Sequence, residues 1–180
     1  VMGAEMISYP NTKLMCSVNV DGSAAVVIAS ERKARQLGMR RAVKIAASIL
    51  TSDRYTQRDL TMPDVNTCTR EAAKKAYEMA GIGPNDVNLI ELHDCFATAE
   101  ILHYENLRLC GDGEASIHVA SGAPWIGNKI PTKYEEDIAP FVDKTYKPKT
   151  KTVVNASGGL LSKGHPLGAT GVANIAEIVF

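Results

Sequence analysis

Two short segments of the sequence carry side chains that can move protons near neutral pH. One is His93-Asp94-Cys95-Phe96, and the other centres on His165, which lies between Gly164 and Pro166. Imidazole and thiol groups can act as general acids, general bases or nucleophiles. Each segment occurs where a predicted strand or loop gives way to a predicted helix. Because side chains converge at such strand ends in layered α/β proteins, we expect the two segments to lie close together.

Cys95 is the only cysteine that titratable side chains flank at a predicted strand-to-helix junction. Backbone N–H groups at a helix start favour a thiolate, so we expect the pKa of this thiol to be lowered. Such a thiol suits a nucleophile or an acid/base. The alternative is a small buried thiol, which is the commonest role of a free cysteine.

The histidines and Asp94 also have structural alternatives. His93 either orients a carbonyl group or is a hydrogen-bonded core histidine. Asp94 is expected to cap a helix or to orient its neighbours rather than to act as a base. His165 is either a turn residue or a base on a rigid loop, because Gly164 permits unusual dihedral angles and Pro166 fixes the start of a helix.

Four of the remaining histidines and cysteines are predicted to be structural or surface residues. Residues assigned to packing or to the surface are His103, His118, Cys68 and Cys110, and Cys16 is left unassigned. Gly159 to Gly164 has the glycine spacing of a phosphate loop, but His165-Pro166 follows where lysine and a hydroxyl residue are required. Neither a serine-hydrolase nor a zinc-protease motif is present, so no metal site is expected.

Strands that alternate with helices predict an α/β fold with a mixed or largely parallel sheet. Predicted strands cover residues 24–29, 42–50, 87–92 and 152–155, and predicted helices cover 31–37, 67–80, 97–109 and a segment from near Leu167 onward. Core candidates on the helices are Ala72, Ala73, Ala76, Met79, Ala80, Ile101, Leu102 and Leu109. The last helix is poor in charge and is expected to be buried on most sides. Residues 121–151 are rich in proline and lysine, which predicts a long surface excursion with a short helix at 134–138.

Composition excludes several classes of protein. Hydrophobic residues form 45% of the 180 residues, and 20 basic residues balance 20 acidic ones, so neither nucleic acid nor an anionic membrane is an expected partner. No apolar run reaches the roughly 20 residues of a membrane span, and no signal peptide is expected. Four cysteines without a CxxC pair predict free thiols in a reducing compartment. Because the chain starts without methionine and closes on a helical pattern, we expect a fragment of a longer polypeptide.

Several stretches, in order along the chain, resemble motifs of the thiolase family. They are Asp21-Gly22-Ser23-Ala24-Ala25, Ile90 to Phe96, Asn155 to Leu160 and Ser162 to Gly171. Together they resemble the C-terminal half of a thiolase of the sterol-carrier-protein type, whose mark is His-Asp-Cys-Phe where many thiolases carry Asn-Glu-Ala-Phe. The resemblance implies a layered αβαβα fold. Residues 16–180 would form the C-terminal domain, truncated at its end, and residues 1–15 the tail of the upstream half or a loop region.

The resemblance also implies roles for the residues of both motifs. Thiolases cleave a 3-ketoacyl-CoA with free CoA, or run the reverse Claisen condensation, through an acyl group on a cysteine of the N-terminal half. His165 would accept the proton of that cysteine. His93 would donate to the thioester oxygen as one arm of an oxyanion hole, and Cys95 would be the second acid/base. Asp94 and Phe96 would orient the loop.

Coenzyme A is then a substrate, and neither a cofactor nor a metal is expected. The resemblance places its pantetheine arm near Ser17, Ser157 and Gly158. The nucleophilic cysteine has no counterpart in this chain, so we expect the chain alone to be inactive. The implied setting is lipid or sterol-type acyl-CoA metabolism, in the cytoplasm or, in a eukaryote, the peroxisome.

Other functions remain open at this point. A thiolase-fold lyase would break a carbon–carbon bond without an acyl-enzyme. A non-catalytic subunit would bind acyl-CoA together with an OB-fold or sterol-carrier partner, and the 121–151 segment keeps this alternative open. An unrelated cysteine hydrolase is the most distant alternative. The resemblance implies a homodimer or a dimer of dimers.

Overall fold

The computed structural model describes residues 1, 3–52 and 67–180. Its strands are β1 (Met6–Ser8), β2 (Asn11–Thr12), β3 (Leu89–Ile90) and β4 (Val153–Val154). Its helices are α1 (Glu31–Gln36), α2 (Thr67–Ala80), α3 (Ala97–Asn106), α4 (Ala115–Ala120), α5 (Glu135–Ile138), α6 (Gly159–Lys163) and α7 (Thr170–Val179). Strands β1 and β2 pair antiparallel, whereas β3 and β4 pair parallel. The α/β class is therefore confirmed, with small sheets and several helices.

The parallel pair β3–β4 lies in the core. Leu89 pairs with Val153 and Ile90 with Val154, and the N–H of Asn155 extends the ladder by donating to the Ile90 carbonyl at 2.8 Å. The buried apolar cluster around this pair consists of Leu92, Tyr104, Leu109, Cys110, Ala115 and Val154. Because both strands end at the same edge of the pair, the segments that follow them, from residues 91 and 155, start side by side.

Two predicted helices are confirmed. The Ser30 hydroxyl accepts a hydrogen bond from the backbone N–H of Lys33 at 3.2 Å, as expected for the cap of α1. Helix α2 spans the predicted residues 67–80. On α2, Ala73 is buried as predicted, but Met79 is 59% exposed and was wrongly assigned to the core.

The predicted strands at 24–29 and 42–50 are absent, and both segments lack regular secondary structure. Val27 is 97% exposed and Leu50 is 96% exposed. An apolar segment becomes a strand only where its N–H and C=O groups meet those of a neighbouring strand. Within residues 3–52 and 67–180, neither segment pairs with a strand.

Helix α3 is shorter than predicted, because it ends at Asn106 and the chain then takes a left-handed turn at Arg108, with φ 61°. This turn carries Leu109, which is fully buried, into the core. Ile101 and Leu102 were wrongly assigned to the core, since they are 37% and 41% exposed. The buried residues of this helix are Tyr104 and Asn106 instead.

The segment 121–151 is more than a surface excursion. The short helix within it is confirmed as α5. The carbonyl of Pro124 accepts the Val154 N–H at 3.0 Å, so this segment lies against β4. The buried Thr150 hydroxyl donates to the Leu109 carbonyl at 3.0 Å. Both ends of the segment are therefore held by the core.

The C-terminal helices differ from the prediction in two ways. A helix, α6, occupies Gly159–Lys163, where a loop was predicted, and α7 starts at Thr170 rather than near Leu167. Helix α7 is also less buried than predicted, since Ile175 is 51% exposed. Among the helices of the described residues, none has both the length and the apolar character needed to cross a bilayer.

Candidate active site

Residues 16–19 form an extended segment that holds the His93–Phe96 loop. Cys16 and Phe96 form an antiparallel bridge, and the backbone N–H of Ser17 donates to the Cys95 carbonyl at 2.9 Å. Phe96 also provides the N-terminal cap position of α3, with extended backbone angles and no side-chain capping bond. The position of the Cys95 backbone is therefore fixed from both sides.

The same segment holds the second motif. The backbone N–H of His165 donates to the Val18 carbonyl at 2.8 Å, and Asn19 forms a parallel bridge with His165. Gly164 precedes it with φ 85°, and a Cβ there would lie 2.8 Å from a methyl carbon of Val20, so only glycine fits. One extended segment thus brings the two motifs together, as the sequence predicted.

The imidazole rings of His93 and His165 are in edge-to-face contact. Their centroids are 4.8 Å apart, and the rings are inclined at 77°. Partial burial lowers the pKa of His93, and the nearby His165 lowers it further, while Asp94 acts in the opposite direction. His93 is therefore neutral at neutral pH, with one N–H available to donate.

Asp94 joins the first motif to the loop after β4. Its carboxylate is buried and accepts the backbone N–H groups of Leu160, at 2.8 Å, and Leu161, at 3.4 Å. It therefore caps α6, a helix-capping role that the sequence suggested without identifying the helix. A Cβ at Gly159, which has φ 62°, would lie 2.1 Å from an Asp94 carboxylate oxygen. Gly159 and Asp94 thus lock the two loops together.

The thiol of Cys95 does not have the lowered pKa that its position before α3 predicted. Burial raises the pKa of Cys95, and the Asp94 carboxylate and Cys16 raise it further, while backbone hydrogen bonds at Phe96 and Cys95 oppose the change. The cause is desolvation, which outweighs the donors at the helix start. Cys95 is therefore protonated at neutral pH, which suits a proton donor better than a nucleophile.

The three residues expected along the pantetheine arm lie on both sides of the site. Ser17 adjoins Cys95, whereas Ser157 and Gly158 lie in the loop after β4. The Ser157 hydroxyl donates to a Glu91 carboxylate oxygen at 2.6 Å and accepts from the Lys163 ammonium at 2.8 Å. The hydroxyl of Ser157 is thus engaged by the chain itself.

An open cleft of about 830 Å³ adjoins His165. One wall is residues 19–24 and the other is residues 165–169. The site therefore opens to solvent beside His165, whose own side chain is buried.

Two polar residues beside the site, Glu100 and Thr170, were not predicted from the sequence. Glu100 accepts from the Tyr104 hydroxyl at 2.5 Å and from the Asn155 side-chain amide at 3.1 Å, and burial raises its pKa. The Asn155 side-chain oxygen in turn accepts the Leu92 N–H at 2.9 Å, directly before His93. An acidic residue in the first turn of a helix usually faces solvent, so no sequence pattern indicated that Glu100 is buried.

Thr170 is the second missed residue. Its hydroxyl lies 2.7 Å from Nδ1 of His165, and its side chain is buried. Threonine at the start of an apolar helix is an ordinary capping residue, so the pattern alone pointed only to a cap.

Of the other histidines and cysteines, Cys16 lies in the segment that holds the His93–Phe96 loop, His118 and Cys110 lie outside the arrangement, and His103 is a partial exception. His118 is fully buried, and its Nδ1 lies 3.2 Å from the Tyr146 hydroxyl, as a structural residue. Cys110 is buried in the core, which raises its pKa to about 12. His103 is half-buried and near enough to His93 that this neighbour helps to lower its pKa. Among the described residues, no group of three or more His, Cys, Asp or Glu side chains could hold a metal ion.

The chain is similar to known proteins along almost its whole length. Residues 48–135 match the family described as thiolase C-terminal domain-like. The benzoylsuccinyl-CoA thiolase subunit BbsB of Thauera aromatica is 37% identical over 99% of this chain and 40% of the relative. Human sterol carrier protein 2 is 39% identical over 99% of this chain and 29% of its own length. The acetyl-CoA acetyltransferase of Methanothermobacter thermautotrophicus is 34% identical over 100% of this chain and 41% of its own.

The chain therefore spans less than half the length of the curated relatives that it matches. The matches nevertheless agree with one another, because the relatives named for thiolase or acetyltransferase activity align with essentially the whole chain, which includes residues 48–135, where the family domain matches. The segments that build the site, residues 16–19, 93–96 and 165, all lie within these alignments, which run over essentially the entire chain. The family match and the relatives support the identification of this chain as a thiolase-type C-terminal half.

Proposed function

We propose that this chain is the acid/base half of a thiolase-type acyltransferase, which cleaves a 3-ketoacyl-CoA with CoA or runs the reverse condensation. The observation that carries the proposal is the convergence of His93, Cys95 and His165 on one extended segment, residues 16–19. Two imidazoles and a protonated thiol at one site match the proton transfers that such a reaction needs.

His165 receives the first proton in this proposal. A cysteine from the N-terminal half of the protein attacks the 3-keto carbon, and its thiol proton passes to the imidazole of His165. The carbon–carbon bond then breaks, so that the acyl group stays on the cysteine as a thioester. The cleft beside His165 leaves room for a second chain segment and a substrate to reach the imidazole.

His93 and Cys95 act on the other product. Bond breakage leaves an enolate of acetyl-CoA, and the N–H of the neutral His93 donates to its oxygen. The Cys95 thiol then donates its proton to the carbon. The raised pKa of Cys95 supports this order, because the thiol carries a proton at neutral pH and is a strong base once it has lost it.

The substrate class is a CoA thioester, and CoA is the acyl acceptor rather than a cofactor. The names of the relatives include benzoylsuccinyl-CoA and acetyl-CoA, which differ greatly in bulk. Acyl-chain specificity then depends on residues outside the shared acid/base group. We also propose a homodimer or a dimer of dimers as the working assembly, acting in lipid-type acyl-CoA metabolism.

The test is CoA-dependent loss of 3-ketoacyl-CoA absorbance, measured with the full-length gene product on acetoacetyl-CoA and on longer substrates. We expect His165→Ala and Cys95→Ala to abolish cleavage, and Cys68→Ala, a thiol outside the site, to retain it. Cleavage without CoA would instead identify a lyase. Binding of acyl-CoA by a folded protein that cleaves no chain length would identify a non-catalytic subunit.

A further inference from the structure

The hydroxyl of Thr170 contacts the buried edge of His165. It lies 2.7 Å from Nδ1 of the imidazole and 3.1 Å from the carbonyl oxygen of Pro166. Thr170 is 4% exposed and His165 is 7% exposed, so water does not compete freely for these contacts. Among the contacts of the described residues, Thr170 is the hydrogen-bond partner of the His165 ring.

A hydroxyl group has one hydrogen to donate and lone pairs to accept with, so these two contacts constrain each other. When the Thr170 hydrogen points to the Pro166 carbonyl, the hydroxyl can only accept at Nδ1 of His165. Nδ1 then carries the ring hydrogen, and Nε2 of the neutral imidazole has a free lone pair. Donation to the carbonyl of the residue four positions earlier is a common arrangement for threonine in a helix.

The arrangement also accommodates the protonated ring. An imidazolium has hydrogens on both nitrogens, so Nδ1 must donate. The Thr170 hydroxyl can still accept from Nδ1, because its own hydrogen stays on the Pro166 carbonyl. That carbonyl also accepts the backbone N–H groups of Ala169, at 2.8 Å, and Thr170, at 2.9 Å, which fixes its direction.

We propose that Thr170 is a positioning residue that holds His165 with Nε2 as its proton-accepting atom. The expected effect on kcat rests on the proposed function, whereas the expected position of the ring hydrogen on His165 does not. Loss of the hydroxyl leaves Nδ1 of a buried imidazole without a partner, so the ring hydrogen distributes over both nitrogens and the imidazolium loses an acceptor.

The kinetic test compares Thr170→Val with Thr170→Ser in the full-length protein. Valine keeps the shape and removes the hydroxyl, whereas serine keeps the hydroxyl. We expect the valine variant to lower kcat roughly ten- to hundredfold with KM nearly unchanged, and serine to restore most of the rate. A valine variant with wild-type kcat would overturn the proposal, as would a serine variant as slow as valine. Thr170→Ala replaces the valine variant if the latter does not fold.

A second measurement does not depend on turnover. Histidine ¹⁵N resonances of the full-length protein report which ring nitrogen carries the hydrogen, and His165→Gln assigns the signal. We expect hydrogen on Nδ1 in the wild type and in Thr170→Ser, and a mixture in Thr170→Val. The same tautomer in the wild type and in Thr170→Val contradicts the inference even in a protein that cleaves no 3-ketoacyl-CoA. An inactive wild type that shows the expected tautomers contradicts the proposed function alone.

Discussion

The region around β3 and β4 and the apolar segments 24–29 and 42–50 have similar sequences but different structures. Both are rich in Val, Ile, Leu and Ala. The first forms a parallel pair in which Val154 of β4 is buried, as is Leu92 just beyond β3, whereas Val27 and Leu50 of the second are almost fully exposed. The difference shows that apolar character does not by itself make a strand, because each backbone needs a partner. The loops that carry His93 and the partner residues of Asp94 follow β3 and β4, which pair with each other.

The sharpest test of this comparison is a pair of leucine truncations. Leu109→Ala removes a fully buried side chain, so we expect the free energy of unfolding to fall by about 3 kcal/mol. Leu50→Ala removes a side chain that is 96% exposed, and its expected effect is within about 0.5 kcal/mol. Chemical denaturation of the full-length protein measures both. An equal loss of unfolding free energy in the two variants would show that segment 42–50 is buried in the complete polypeptide.

A pair of glycine substitutions tests how tightly the two site loops are joined. Gly159→Ala forces a Cβ against the Asp94 carboxylate at a position with left-handed backbone angles. We therefore expect the free energy of unfolding to fall by roughly 2 kcal/mol or more, with a large loss of cleavage activity. Gly171→Ala is the control, since a Cβ there meets no atom within 4 Å. It lies inside helix α7, where alanine is favoured by about 0.5–1 kcal/mol. Thermal unfolding and 3-ketoacyl-CoA cleavage assays of both variants measure these effects. Equal stability of the two variants would mean that the loops separate freely.

Asp94→Asn tests the cap without adding bulk. Asparagine can still accept one backbone N–H at the start of α6, but it carries no charge. We therefore expect the free energy of unfolding to fall by about 1 kcal/mol. The pKa of Cys95 should also fall, because the Asp94 carboxylate helps to raise it. The pH dependence of Cys95 alkylation by iodoacetamide, followed by mass spectrometry, measures this change. An unchanged alkylation profile would leave burial and the neighbouring Cys16 as the causes of the raised pKa of Cys95.

The smallest expected effect is the pH dependence caused by Glu100. Burial raises the pKa of this carboxyl, so the folded protein holds its proton at higher pH than the unfolded chain does. The stability contributed by the neutral form is present below the ordinary glutamate pKa and is lost as pH rises through the folded value. We therefore expect Glu100→Gln to be slightly more stable than the wild type near pH 7 and to lose that advantage near pH 4. Melting temperatures across this range measure it. An advantage that grows on acidification would contradict this sign.

The sequence predicted the parts of the fold that local chemistry determines. Helix α2 was located to the residue, the Ser30 cap was confirmed, and the two motifs lie together at one site. Helix α6 was missed because its cap, Asp94, is 66 residues away along the chain. The direction of the Cys95 pKa was wrong for the same reason, since burial depends on tertiary packing. Glu100 and Thr170 likewise gain their significance from contacts that no local pattern encodes.

The parallel pairing of β3 with β4 has a consequence for how the protein folds. Leu92 and Asn155, which are hydrogen-bonded across the pair, are 63 residues apart along the chain. Closing a loop of that length costs about 3–4 kcal/mol of chain entropy before any contact repays it. Contacts of high sequence separation form late and slow the folding rate. The site loops can therefore take their final positions only once β3 and β4 have paired, and a ribosome must synthesise both motifs before either is in place.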